Sequence, residues 1–519
     1  MDSLASNKLK WLLAAALFAV FAAPAFISYE PYVFSWDDSD YMVRAVAASR
    51  AFWSGDVHGL GAAIISPHTP VMTVLGLPWG PLVSRSAAGK CFITLAGVIA
   101  LLAALSFYVL LRLGVKPPLL VLAAACVGAS LGPYGTLAQK TFAGTSSLYS
   151  IHIVATGFMS DSLLAWTTLA AVLLIPYEAR MPWPSIRDAV WRGVLCALIF
   201  SLGVMTKFSF IYFVVLIGPI LFVIRLRYGG LRSASAWLIA FACASAPVTI
   251  YLVRYGRSAL AQARAASFGG LSGFYHVPLL QFLGSMIRES PGLGFSVLLM
   301  TAALLYVVTK RRERWLWPEF TALLITIGFL IIVLASPSKQ NRYLFPAIVT
   351  LPFLLAILIS HRRDSVSAPS PVLAALAATL VFVGLVLAAA PTRHRPDWQS
   401  LSRAEVVLAQ AAECKAKHIV LATDSPTLNL YLLGLDLEFS DTVASATTLA
   451  YQAVSGVPIE NDFRAMSEAD LVVFQDARHT NPKFSNQRVP EYERHVRQGG
   501  YAQIKVGDDL SVYAVHCRP

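Results

Sequence analysis

The sequence predicts a polytopic all-α membrane protein with a small α/β domain at its C-terminal end, held outside the bilayer. Three observations predict it. The 519 residues are 56% hydrophobic and 13% charged, with a mean hydropathy of +0.62, whereas a soluble chain is about 25% charged. The apolar residues gather in runs of roughly 20, the length that crosses about 30 Å of hydrocarbon. Polar residues return in the tail, residues 392–519. These proportions exclude a cytosolic globule, a disordered chain and a disulfide-stapled secreted domain. The net charge of +12 does not read as nucleic-acid binding. No basic run is interleaved with aromatics, as a base-stacking surface requires. No nucleic-acid partner is expected.

About eleven runs qualify as spans. They cover 9–28, 91–111, 118–136, 158–176, 193–206, 208–224, 235–253, 294–309, 319–336, 344–360 and 371–390. The first follows Lys8 and Lys10 and ends in Phe26-Ile27-Ser28-Tyr29-Glu30, a poor signal-cleavage site, so it reads as an uncleaved span. Basic residues occupy every second loop. They are Lys8 and Lys10, Arg112 and Lys116, Arg180 to Arg192, Arg225 to Arg232, Lys310 to Arg314, and Arg362 with Arg363. Positive loops stay in the cytoplasm. The N-terminus is therefore expected inside, and the tail outside the cell's inner (plasma) membrane. The stretch 193–224 has a basic residue at each end, which favours a hairpin turned at Lys207 over one long helix. Arg254, Arg257 and Arg264 fall in a loop assigned to the outside, against the charge rule.

Two external segments follow: a first loop over about 29–90, inside a membrane domain of residues 1–391, and the tail domain of residues 392–519. In the tail, residues 418–424, 469–474 and 510–515 read as strands. Ser425 can cap a helix running through Leu433 to Gly434. Of six cysteines, Cys91, Cys126, Cys196 and Cys243 sit in apolar runs as small hydrophobes. Cys414 and Cys517 both lie in the tail and can pair in an oxidising compartment.

The chemistry-bearing residues recur at the outer ends of spans. Ser35-Trp36-Asp37-Asp38-Ser39-Asp40-Tyr41 follows span one. Its plain reading is a helix N-cap with interfacial aromatics. Adjacent Asp37 and Asp38 cannot share a helix face, so one can point into a cavity while the other binds backbone or a metal. Asp161 opens span four, Lys207 tips the hairpin, Arg342 precedes span ten, and His68 lies in the first loop. Ionisable groups near membrane depth are costly and are functional candidates by default. Each also has an ordinary role, as a cap, a snorkelling cation or a loop residue. All five positions map to one face, acids and bases together.

In this order the motifs resemble integral-membrane glycosyltransferases of the GT-C class, in particular the protein-mannosyltransferase and lipid A aminoarabinose or galacturonosyl transferase group. The resemblance rests on Asp37-Asp38, His68-Thr69-Pro70, Gly80 to Gly89, Ser160-Asp161-Ser162-Leu163-Leu164, Gly203-Val204-Met205-Thr206-Lys207 and Arg342-Tyr343-x-x-Pro346. It covers roughly residues 10–350. Many members carry two consecutive prolines where this chain has Thr69 before a single Pro70.

The resemblance implies a GT-C-like fold and an inverting transfer of a sugar from a polyprenyl-phosphate donor to a lipid, glycan or protein acceptor, alongside membrane lipids. It implies Asp37 as general base, and Asp38 as its orienter or the ligand of a divalent metal ion, the one cofactor considered. Asp161, counted with them as catalytic, would hold a sugar hydroxyl or form a second side of the acid cluster. Lys207, Arg342 and His68 would bind the donor phosphate, and Tyr41 and Tyr343 would touch substrate. Arg254, Arg257 and Arg264 would then draw anionic headgroups. Two other classes compete. A secondary transporter or lipid flippase would place its ionisable groups near the midplane and show inverted repeats, and no repeat is found. A membrane-anchored scaffold would need a partner-binding face on the tail.

Overall fold

The computed structural model describes residues 36–64, 70–78, 90–131, 160–180, 185–268, 277–289, 317–337, 341–360, 398–425, 445–453, 456–475, 486–506 and 510–515, with short pieces within 294–305 and 428–437. His68, the runs 9–28 and 371–390, and most of 294–309 lie outside the described residues. Two compact units form.

One unit holds the long apolar helices. They are α4 (Lys90–Arg112), α5 (Pro117–Leu131), α6 (Ser160–Arg180), α7 (Ile186–Thr206), α8 (Ile211–Ala244), α9 (Ala246–Phe268), α10 (Leu279–Glu289), α11 (Trp317–Ala335) and α12 (Phe345–Ser360). Among the described residues, five segments are long and apolar enough to cross a bilayer: Ser160–Arg180, Ile186–Thr206, Phe208–Ala244, Pro318–Ala335 and Arg342–Ser360. Helix α6 is the hub and packs against α7, α8, α11 and α12. It is buried along almost its whole length, as an all-round apolar helix must be. Phe353 of α12 meets Trp166 of α6 and Phe107 of α4.

The expected hairpin at Lys207 forms. Helix α7 starts at Ser185, whose Oγ accepts from the Asp188 N–H, a side-chain N-cap. It stops at Lys207, which is extended (φ −159°, ψ 130°). One 3-10 turn, Phe208–Phe210, leads into α8. The run through Ala244 is too long for one crossing, since 34 residues at 1.5 Å each span about 51 Å. Gly230 breaks it with φ 72°, ψ 175°, a conformation that only glycine adopts readily. Spans six and seven therefore meet at Gly230.

One expectation is corrected. Arg254, Arg257 and Arg264 do not lie in a loop; they are on α9. The segment Ser258-Ala259-Leu260-Ala261-Gln262-Ala263-Arg264 is made of good helix formers, and a hydropathy reading misses a helix whose residues are not apolar.

The other unit holds α1 (Trp36–Ser54), α2 (Val57–Ile64), the segment from Thr73 on, and the residues after 394. The short helix α3 (Pro70–Leu75) runs across its boundary. Ser49 of α1 donates to the Gly76 carbonyl at 2.9 Å and Trp53 Nε1 to that of Leu77 at 2.8 Å. The later part folds as α13 (Trp398–Glu413), β1 (His418–Leu421), β2 (Ser445–Thr448), α14 (Ile459–Glu468), β3 (Leu471–Gln475), α15 (Val489–Gln498), β4 (Ala502–Val506) and β5 (Leu510–Ala514).

The sheet order is β2-β1-β3-β5-β4, with β2, β1 and β3 parallel and β5 antiparallel to both β3 and β4. The three strands read from sequence are the three central ones. Ile419 and Leu421 pack towards α13 on one face, while Val420 and Ala422 pack towards α14 and α15 on the other. Burial on both faces is why these strands read as unbroken apolar runs. Ser425 Oγ accepts from the Leu428 N–H at 2.9 Å, but within a turn closed by a Ser425–Leu428 bridge; the described helical residues begin at Leu430 and include Gly434, so Ser425 is not the helix cap expected from the sequence. Cys414, just after α13, is disulfide-bonded; Cys517 lies outside the described residues.

Candidate active site

Asp161 is the second residue of α6, where the helix N-terminus favours a negative charge. Its side chain is only 2% exposed. Lys207 is held by the break between α7 and the 3-10 turn. Its N–H donates to the Gly203 carbonyl at 2.9 Å, and the turn folds Phe210 back onto Gly203. A Cβ at position 203 would sit 2.4 Å from Phe210 Cδ1, so the close approach needs glycine there. Phe210 is itself fully buried against Phe200 and Phe213. Arg342 and Tyr343 ride on a second 3-10 turn, Asn341–Leu344, directly before α12. Pro346 follows in the first turn of α12, where a missing N–H costs nothing.

These elements bring four of the sequence-derived residues together. Lys207 Nζ lies 2.5 Å from Asp161 Oδ1. The same ammonium stands 5.1 Å from the centre of the Tyr343 ring, and Arg342 Cζ stands 5.4 Å from that centre. Both distances fall within the range of cation–π attraction. Two cations thus stand beside one aromatic ring, one of them paired with a buried acid. Such a pair of cations suits a phosphate group, which a guanidinium can grip with two parallel N–H groups.

The remaining candidates belong to the other unit or lie outside the described residues. Asp37 and Asp38 fall in the first turn of α1; their side chains lie outside the described residues, as does His68. Tyr41 is half-buried on α1. Among the described residues no group of three His, Cys, Asp or Glu could hold a metal ion. Among the described residues the buried acid of the patch, Asp161, is matched to an ammonium.

A second charged cluster, at the far end of α6, escaped the sequence reading. Glu178 is 1% exposed and takes Arg225 of α8 at 2.5 Å and Arg192 of α7 at 3.4 Å. Arg180 pairs with Glu319 of α11 and donates to the Leu113 carbonyl at 3.1 Å. Arg180, Arg192 and Arg225 read as ordinary loop cations in sequence. The available signal was the two lone acids, Glu178 and Glu319, at the edges of apolar runs.

No protein-family model and no curated protein matches the chain. Solved structures do, two of them of one protein. ArnT from Cupriavidus metallidurans, bound to undecaprenyl phosphate, aligns with a TM-score of 0.58 at 12% identity over 98% of each chain. The same protein in its apo state aligns at 0.56 and 13%, over 99% of this chain and 100% of that one. At such identity the likeness shows the fold alone, and the fold the chain shares is that of ArnT.

Proposed function

We propose that the chain is an inverting membrane glycosyltransferase. It would move a sugar from a polyprenyl-phosphate donor to a lipid, glycan or protein acceptor at the outer face of the membrane. The observation that carries this reading is the pair of cations, Lys207 and Arg342, sharing the Tyr343 ring beside buried Asp161. The fold neighbour seen with undecaprenyl phosphate supports it. So does the charge asymmetry of the loops, which turns the Asp161 end of α6 outward.

In this reading the acceptor oxygen attacks the anomeric carbon as the bond from that carbon to the phosphate oxygen breaks. The acceptor proton passes to Asp37, a general-base step usually worth about 10²–10⁴-fold. Asp38 orients Asp37 or holds a divalent cation, and Tyr41 lines the acceptor side. The charge growing on the departing lipid phosphate is met by Arg342 and Lys207, with His68 assisting. Fixed cations aimed at developing charge are the largest class of catalytic contribution.

A transporter is the weaker reading. The described buried ionisable groups of α6 stand one residue from its start and two from its end (Asp161 and Glu178), whereas transporter sites lie near the midplane. The test is reconstituted protein with sugar-loaded polyprenyl phosphates, followed by glycan and lipid analysis. Transfer that falls about 10²–10³-fold in Arg342→Ala supports the reading. Translocation of lipid with no bond made or broken refutes it.

A further inference from the structure

Lys207 does not stand ready as a bare cation. Its ammonium is already matched to Asp161, 2.5 Å away, with side-chain exposures of 24% for the lysine and 2% for the acid. A carboxylate this deeply buried keeps its charge only with a partner. A phosphate arriving at Lys207 competes with Asp161 for the ammonium and leaves the acid short of donors unless the same ligand brings a replacement. A sugar hydroxyl or amine on the donor is such a group. A fully ionised polyprenyl phosphate without sugar carries none.

Resting on the reading that this patch seats the donor phosphate, we propose that Asp161 is the release residue. Sugar-loaded donor exchanges partners with the pair, giving Lys207 its phosphate and Asp161 a sugar O–H or N–H, so both buried charges stay satisfied. Once the sugar has left, Asp161 loses its donor and recaptures Lys207, and the spent lipid phosphate is displaced. The ion pair thus discriminates loaded from spent lipid by competing for one ammonium. Arg342, whose guanidinium carbon stands 5.4 Å from the centre of the Tyr343 ring, anchors the phosphate in both states.

The test measures binding of sugar-free undecaprenyl phosphate and of its sugar-loaded form to detergent-purified full-length protein, alongside turnover. In the unaltered protein the loaded lipid is expected to bind at least about fivefold tighter than the spent one. Asp161→Asn is expected to tighten sugar-free lipid about tenfold, to erase most of that preference, and to lower kcat with strong product inhibition. Asp161→Glu, which keeps the charge, is expected to retain part of the preference for loaded lipid that Asp161→Asn loses, even where its turnover falls. A purely structural acid would predict the reverse, weaker binding of both lipids in Asp161→Asn, and that result overturns the proposal while leaving the transferase reading intact. If Asp161→Asn does not fold, the unaltered protein still decides, since equal affinity for loaded and spent lipid also overturns it. Failure of the unaltered protein to bind either lipid overturns the transferase reading itself, and this inference with it.

Discussion

Gly203→Ala tests how the site is built. The added Cβ would lie 2.4 Å from the edge of the Phe210 ring, about 1 Å inside the 3.4 Å at which ordinary contact begins. Phe210 cannot swing away, because it is fully buried with Phe200 5.7–6.3 Å from its neighbours Phe241 and Phe210. The turn 207–210 must therefore move by about that ångström. Overpacking of this kind typically costs about 1–3 kcal/mol. The larger effect is on Lys207, which hangs from the Gly203 carbonyl and reaches Asp161 at 2.5 Å. A misplacement of about 1 Å can cost about 10²-fold in rate. The assay is donor turnover and thermal unfolding in one detergent, with Gly97→Ala as the control. A Cβ at Gly97 meets nothing within 4 Å, so that change should leave turnover alone. If Gly203→Ala turns over and unfolds like the parent, the account of how Lys207 is held is wrong.

Glu178→Gln strips the carboxylate from Arg225, which is 1% exposed, and should destabilise the helical unit by about 3–5 kcal/mol; thermal unfolding reads it, and a loss under about 1 kcal/mol contradicts the pairing. Lys415 holds φ 49° in the turn that ends α13, where the Ala416 N–H returns to the Ala411 carbonyl. Lys415→Gly should therefore stabilise the α/β unit by about 0.5–1 kcal/mol, visible as slower amide exchange in β1. Burial, followed by its 2.6 Å hydrogen bond to Asp462, raises the Tyr492 phenol above its ordinary 10.0. The unfolded phenol ionises first, so this contribution is complete below pH 10 and fades as pH climbs through the folded value. Tyr492→Phe should flatten the alkaline limb of the unit's stability profile, and an unchanged limb would contradict the shift.

What the sequence makes legible is whatever burial writes into composition. Helix α6 and helix α12 are wrapped in other helices and read as plain apolar runs. The same holds for β1 and β3 at the centre of the sheet, while β5 shows as an alternation with Leu510, Val512 and Ala514 buried. The outer strands β2, Ser-Ala-Thr-Thr over Ser445–Thr448, and β4, Ala502–Val506, face solvent on one side and carry no such run. They are set by pairing with neighbours far along the chain. Of the site, the charged residues near span ends were visible one at a time. Their meeting was not, because the distance from Asp161 to Lys207 depends on how α7 ends, and that depends on Phe210 lying over Gly203. The Glu178 cluster was hidden for a different reason. Its arginines obey the rule for cytoplasmic loops so well that nothing in the sequence asks for their partners.

Helix α6 is bolted to its neighbours at both extremities. From Asp161 to Glu178 is 17 residues, about 26 Å of helix, and each end is clamped by charges borne on other helices. It cannot slide or ratchet by a turn without parting several deep-set salt links at once. If the chain handles a polyprenyl lipid as proposed, any rearrangement that admits its tail must fall to elements free of that clamp. The scaffold would then behave as a fixed mast around which the rest of the rigging shifts.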